Sequence, residues 1–128
     1  MVIAVDFDGT CVTHEYPKIG KDIGAVPVLQ ELVKQNHKLI LLTMRSGQTL
    51  DEAIAWFKEN NIPLWAVNNN PEQIEWTDSP KVYANMYIDD ASLGAPVEYN
   101  PSFARREYID WKVVKFMLEE QRDRKSVV

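Results

Sequence analysis

Two carboxylates, Asp6 and Asp8, stand two residues apart in the run Asp6-Phe7-Asp8-Gly9-Thr10, directly after the apolar stretch Val2-Ile3-Ala4-Val5. A short apolar run ended by a glycine predicts a buried parallel strand, and open α/β sheets bind ligands at the carboxyl ends of their strands. Side chains alternate along a strand, so Asp6 and Asp8 are expected on one face and Phe7 on the other. Two carboxylates held this close repel unless a cation or a shared proton intervenes, and a divalent metal is the expected remedy. A plain turn after a strand, with Asp6 capping it locally, would use the same residues without chemistry.

Other strands argue against a plain turn. Leu39-Ile40-Leu41-Leu42 predicts a second buried strand over residues 38–43 that leaves Thr43 at its carboxyl end, and Met86-Tyr87-Ile88 predicts one that delivers Asp89 and Asp90. Three strands then present polar groups at one edge. With Lys81 in the loop before the last of them, the inventory suits phosphoryl transfer: carboxylates for Mg²⁺ and for a nucleophile, a hydroxyl and an ammonium for the phosphoryl oxygens. Arg45, two residues beyond Thr43, is a second candidate for that cation or for holding the rest of a substrate; a surface ion pair is its alternative reading.

The elements that must position these groups alternate between strand and helix. Residues 13–22, polar and containing Pro17 and Gly20, read as a loop or small flap over the first strand's end. Ala25, Val28, Leu29, Leu32 and Val33 form one apolar stripe of a helix over 24–36, with Pro27 in its first turn and Asn36 as a left-handed stop; His37 beyond it is expected to be exposed. Thr49 and Glu52 have capping-box spacing before a second helix, whose stripe is Leu50, Ala53, Ile54 and Phe57 and which Asn60-Asn61 end before Pro63. Leu64-Trp65-Ala66-Val67 predicts a short third strand, followed by a polar loop over 68–80. A long terminal helix is expected over about 103–122, with Ile109, Val113, Phe116 and Met117 packed on the core or, alternatively, in a homodimer interface. This alternation predicts a three-layer, Rossmann-like α/β domain with a parallel sheet, right-handed crossovers and helices on both faces. The 128 residues are expected to form one domain, 1–128.

Composition narrows the function class. The chain is 45% apolar and 26% charged, as an ordinary globular protein is, and no stretch approaches the roughly 18 apolar residues of a membrane span. The short N-terminal apolar run lacks a signal peptide's basic flank, so a cytoplasmic, membrane-free protein is expected. Cys11 is the single cysteine, which excludes an internal disulfide; it reads as a small buried apolar residue beside the motif, with a reactive thiol as the lesser reading. The net charge of -5 is the wrong sign for tracking a nucleic-acid backbone, and the basic cluster Arg122, Arg124 and Lys125 reads as a solvated helix end.

Over residues 1 to about 95 the chain resembles the haloacid dehalogenase-like superfamily. Its phosphatases combine an apolar strand ending in Asp-x-Asp-Gly-Thr, a Thr or Ser after a second strand, a downstream Lys and an acidic pair after a later strand. The stretch from Pro80 to Asp90 is also similar to small phosphatases associated with capsule or polysaccharide biosynthesis. The resemblance implies that Asp6 attacks phosphorus to form an aspartyl-phosphate, while Asp8 protonates the leaving oxygen and then activates water. It further implies that Thr43, Lys81 and backbone N–H groups after Asp6 and Thr43 hold the transferring oxygens. Mg²⁺ would be bound by the Asp6 carboxylate, the Asp8 carbonyl and Asp89, with Asp90 orienting a metal-bound water. Lys81 departs from the family pattern, since only Val82 to Asn85 separate it from the last strand. Without a cap the site is expected to be open, suited to a bulky phosphoester or to a small one enclosed by a second subunit. His14, Tyr16, Asn69, Asn70 and Trp76 are rim candidates for substrate contact.

The expected activity is therefore Mg²⁺-dependent phosphomonoester hydrolysis, of a substrate the residues do not identify. A phospho-acceptor module resembling bacterial receiver domains is the alternative, disfavoured because the third strand ends Val67-Asn68 without an aspartate. A degenerate family member that only binds phosphate is a third reading, against which Asp6, Asp8, Thr43 and Asp89 all stand.

Overall fold

The computed structural model describes residues 1–127, with side chains through Gln121, so the cluster Arg122, Arg124 and Lys125 lies outside the side chains described. Four strands form one parallel sheet: β1 (Val2–Val5), β2 (Lys38–Leu41), β3 (Ala66–Val67) and β4 (Met86–Ile88), in the order β3-β2-β1-β4. Ile3 stands opposite Leu39 and Met86, and Val5 opposite Leu41 and Ile88, so the odd residues of β1 and β2 share one face. That face is apolar and covered by α1 (Ala25–Lys34), α2 (Gly47–Glu59) and α3 (Trp111–Val127). Leu29 and Leu32, Trp56 and Phe57, and Trp111 and Val114 are their buried contributions, and Phe7 continues the core with its ring 5.5 Å from that of Trp56.

The opposite face carries Ala4 and Ile40 and packs against Ala84, Val82 and Trp65. The chain moves one way across the sheet from β1 to β2 to β3 and then doubles back past β1 to β4, so crossovers of one hand must use opposite faces. The third layer is consequently the 68–85 connection, whose one helical piece is a 3₁₀ turn at Gln73–Glu75. The α/β class and its parallel sheet are those expected from the alternation of elements; the second covering layer is thinner than a full α-helix. Among the described residues, no helix is long and apolar enough to cross a membrane.

Two expectations need correction. The chain after β4 is not helical from residue 103: β5 (Val97–Glu98) and β6 (Tyr108–Ile109) pair antiparallel, and α3 starts only at Trp111. Ile109 therefore lies in a strand, and its N–H donates to the Gly9 carbonyl at 3.0 Å. The apolar stripe chosen for α3 is also not the one that packs on the core. Val113, Phe116 and Met117 are 42%, 62% and 50% exposed, whereas Trp111 and Val114 are buried and Leu118 packs against the core. Two apolar stripes compete on this helix, and the Trp111 indole decides between them by donating to the buried Thr10 carbonyl at 2.7 Å. A smaller shift occurs at α2, which begins at Gly47 with Ser46 ahead of it, so Thr49 sits inside the first turn and its hydroxyl donates to the Ser46 carbonyl.

This choice of stripe is testable by equilibrium urea unfolding. Trp111→Phe keeps an aromatic ring but removes the indole donor and part of the ring's volume, and should cost at least about 1–3 kcal/mol because the buried Thr10 carbonyl is left unpaired and the core loses contacts. Val113→Ser, on the exposed stripe, should stay within about 0.5 kcal/mol of the parent. Reversed magnitudes would place the other stripe on the core.

Candidate functional site

Parallel pairing forces all four strands to end at the same edge, and the ladder runs one residue beyond β1, β2 and β3. Asp6 N–H donates to the Ile88 carbonyl, Leu42 N–H to Val5 and Asn68 N–H to Leu41, at 2.8 to 3.0 Å. Asp6, Thr43, Asn68 and Asp89 thereby collect along one rim. The Asn68 side chain spans two strand ends by accepting from the Thr43 N–H at 2.8 Å.

Around the end of β1 the motif folds back on itself. Three N–H groups, of Thr10, Cys11 and Val12, converge on the Phe7 carbonyl, a tight turn that passes through Gly9 at a φ of +81°. A side chain at Gly9 would run into the His14 ring and the Asp90 carboxylate, which meet over this residue at 2.8 Å. The fully buried Thr10 hydroxyl lies between two acids, 2.9 Å from Asp6 Oδ2 and 3.2 Å from Asp90 Oδ1, and accepts from the Asp90 N–H at 3.0 Å. It has a single proton for two carboxylates, so it can satisfy only one of them at a time. The spacing of Asp-Gly-Thr marked this turn, but nothing in the residue types assigned Thr10 the role of bridging β1 to the acidic pair. His14, expected only as a rim residue, is the Asp90 partner.

One oxygen each from Asp6, Asp89 and Asp90 falls within 4.8 Å of the others. Burial, then the charge of Asp89, pushes the Asp6 pKa up to about 7, against the hydrogen bond from Thr10; Asp90 adds a smaller upward push. An all-oxygen, carboxylate donor set with one acid driven toward protonation is what a hard divalent cation relieves, so the residues fit such an ion. Cys11 is buried, its Sγ 3.3 Å from the Asp6 carbonyl. Burial, with the nearby charges of Asp6 and Asp8, raises its thiol pKa well above the ordinary range, as befits the inert small residue expected there.

Asp8 stands apart from that cluster, held by Arg45. Nε of Arg45 donates to one Asp8 oxygen and Nη2 to the other, both at 2.8 Å. The remaining guanidinium hydrogens go to the carbonyls of Pro17, Lys18 and Thr49 at 3.3, 2.8 and 3.1 Å. All five N–H donors of a residue only 3% exposed are thus taken. This corrects the expectation for Arg45: it has no donor left for a phosphate or a substrate, and it is not a surface ion pair either.

The other expected residues are placed as follows. Thr43 is half-buried at the rim and its hydroxyl accepts from the Arg45 N–H at 3.1 Å. Lys81 is exposed; its backbone is fixed by Ser79 and Gln73, and its ammonium makes no ion pair among the described residues. Asn70 is structural, donating to the Tyr83 carbonyl and accepting from the Glu72 N–H. Trp76 packs edge-on against Tyr83, and Tyr16 lies over the Arg45 guanidinium.

No protein-family model and no curated protein matches the chain. A solved structure does: a conserved protein coded by a locus from Bacteroides thetaiotaomicron is similar over 94% of this chain and 91% of that one, with 38% identity and a TM-score of 0.76.

The raised Asp6 pKa carries a stability prediction for the metal-free protein. A carboxyl whose pKa rises from 3.8 to about 7 on folding costs nothing below pH about 4, and the cost grows as pH rises toward the folded value. Asp6→Asn, which mimics the protonated acid, should therefore stabilise the chelator-treated protein at pH 8 by on the order of 1–3 kcal/mol, allowing for partial exposure, and by far less at pH 4.5. Thermal unfolding at the two pH values measures this; an equal effect at both would show that the charge is not the cause.

Proposed function

We propose that this chain, which belongs to the same family as the Bacteroides thetaiotaomicron protein, is a Mg²⁺-dependent phosphomonoester hydrolase of the haloacid dehalogenase-like type. The observation that supports this reading best is the assembly at one sheet edge of a partly buried Asp6, two further carboxylates beside it, and Asp8 held close in sequence but outside the acidic cluster. Two acids in different environments suit two tasks.

In this mechanism the Asp6 carboxylate attacks phosphorus, an Asp6–phosphorus bond forms and the bond to the leaving oxygen breaks. Asp8 gives its proton to that oxygen, for which it must first exchange an Arg45 hydrogen bond for a proton. Water then attacks the aspartyl-phosphate, Asp8 takes the proton, and phosphate leaves with Asp6 restored. The Thr43 hydroxyl, at the same rim, would hold a phosphoryl oxygen. Asp6 and Asp89, with Asp90 alongside, would hold the cation, whose charge offsets that of the carboxylates and the phosphate. Thr10 and His14 fix Asp90: the Thr10 hydroxyl accepts from the Asp90 backbone N–H, and the His14 ring meets the Asp90 carboxylate. Lys81, which would supply a cation to the phosphate, stays part of the proposal on the resemblance alone.

Hydrolysis of p-nitrophenyl phosphate tests this reading. Many turnovers per enzyme are expected with Mg²⁺ and none in excess chelator, and Asp6→Asn should lower kcat by on the order of 10⁴-fold or more. Asp8→Asn should slow poor leaving groups more than good ones, because only the former need the proton. A stable, stoichiometric phosphoprotein formed from an acyl phosphate without release over minutes would instead establish the receiver-like alternative.

A further inference from the structure

We infer that Arg45 is the positioning residue of Asp8, and that it works by fastening the Asp8 carboxylate to the loop over the site, so that loop order and Asp8 geometry form one coupled unit. The inference rests on the phosphatase reading for its catalytic consequence, but its structural core does not.

The argument starts from the donor count. A guanidinium offers five N–H groups in a rigid plane, and here two go to Asp8, two to the loop carbonyls of Pro17 and Lys18, and one to Thr49 in the first turn of α2. The Phe7 and Tyr16 rings lie 5.0 and 5.1 Å from its central carbon. The hydrogen bonds to Asp8 raise the guanidinium pKa further, so the group is a permanent cation. At its base the loop is closed by backbone and hydroxyl bonds between Thr13 and Lys21 and by a bridge from Val12 to Asp22. At its far side, Pro17 and Lys18 are tied down by Arg45, and the Lys18 N–H closes a turn on Glu15 at 2.9 Å.

Three consequences follow from this saturation. Removing the carboxylate leaves two donors of a buried cation unpaired, so Asp8 supports the loop as much as the loop supports Asp8. Lysine cannot replace the arginine, since three donors on one nitrogen cannot fork to a carboxylate and reach two carbonyls. The clamp also keeps a fourth negative charge from joining Asp6, Asp89 and Asp90 at rest, while leaving Asp8 one hydrogen-bond exchange away from acting.

Hydrogen–deuterium exchange of the 14–20 segment and leaving-group kinetics on Arg45→Lys, Asp8→Asn and the double variant test the inference. Asp8→Asn is nearly isosteric and provides the test if Arg45→Lys folds poorly. Either single change should speed exchange in the segment by about tenfold or more, and the double variant should add little to the larger single effect. On aryl phosphates, Arg45→Lys should reproduce the Asp8→Asn pattern, with kcat lost mainly for poor leaving groups and the Mg²⁺ requirement unchanged. Unaltered exchange in Asp8→Asn, or additive effects in the double variant, would overturn the coupling. Exchange is read without substrate, so a parent protein lacking phosphatase activity would defeat the proposed function and leave the loop result to stand or fall by itself.

Discussion

Asp6 is placed where burial and two neighbouring carboxylates all oppose its negative charge, and the surrounding structure is organised around that conflict. Moving the acid to solvent would relieve the conflict, but β1 is the second strand from the sheet's edge, with β2 and β4 on either side, so its carboxyl end has nowhere else to go. The fold instead manages the charge locally. Thr10 shares one proton between Asp6 and Asp90, His14 pairs with Asp90, and Arg45 draws Asp8 away to a separate ion pair. Each of these devices stabilises a group that would otherwise add to the repulsion.

Those devices depend on parts of the chain far from the motif. The Thr10 carbonyl accepts from Trp111 at the start of α3, and the Gly9 carbonyl from Ile109 in β6, so the turn carrying the acids is braced by the last quarter of the chain. This explains why the antiparallel ribbon exists at all. Two strands of two residues each have little stability of their own, and they persist because one of them closes against the motif turn. It also leaves Val113, Phe116 and Met117 on the exposed side of α3.

The structural likeness to the Bacteroides thetaiotaomicron protein extends over 94% of this chain and 91% of that one. A minimal domain of this kind carries its site entirely on strand ends and short connections. The segments after β1 and before β4 hold a flap and a 3₁₀ turn but no inserted helical or sheet domain. The 13–22 loop is the flap that Arg45 ties to Asp8 through the Pro17 and Lys18 carbonyls.

Some of this was already determined by local sequence. Short apolar runs such as Val2-Ile3-Ala4-Val5 and Leu39-Ile40-Leu41, bounded by turn residues, read as buried strands, helical stripes between them point to parallel crossovers, and parallel strands then end together. The rim of Asp6, Thr43 and Asp89 follows from that periodicity alone. Partners joined across the fold were not legible. Arg45 lies 37 residues from Asp8 and Trp111 lies 101 residues from Thr10, and no periodicity encodes a contact at such range. Nor does local pattern choose between two equally apolar stripes on α3, or reveal a ribbon of two-residue strands. Those choices were settled by tertiary structure, because only the assembled core determines which buried carbonyls and carboxylates still need a donor, and therefore which side chains must turn inward to supply one.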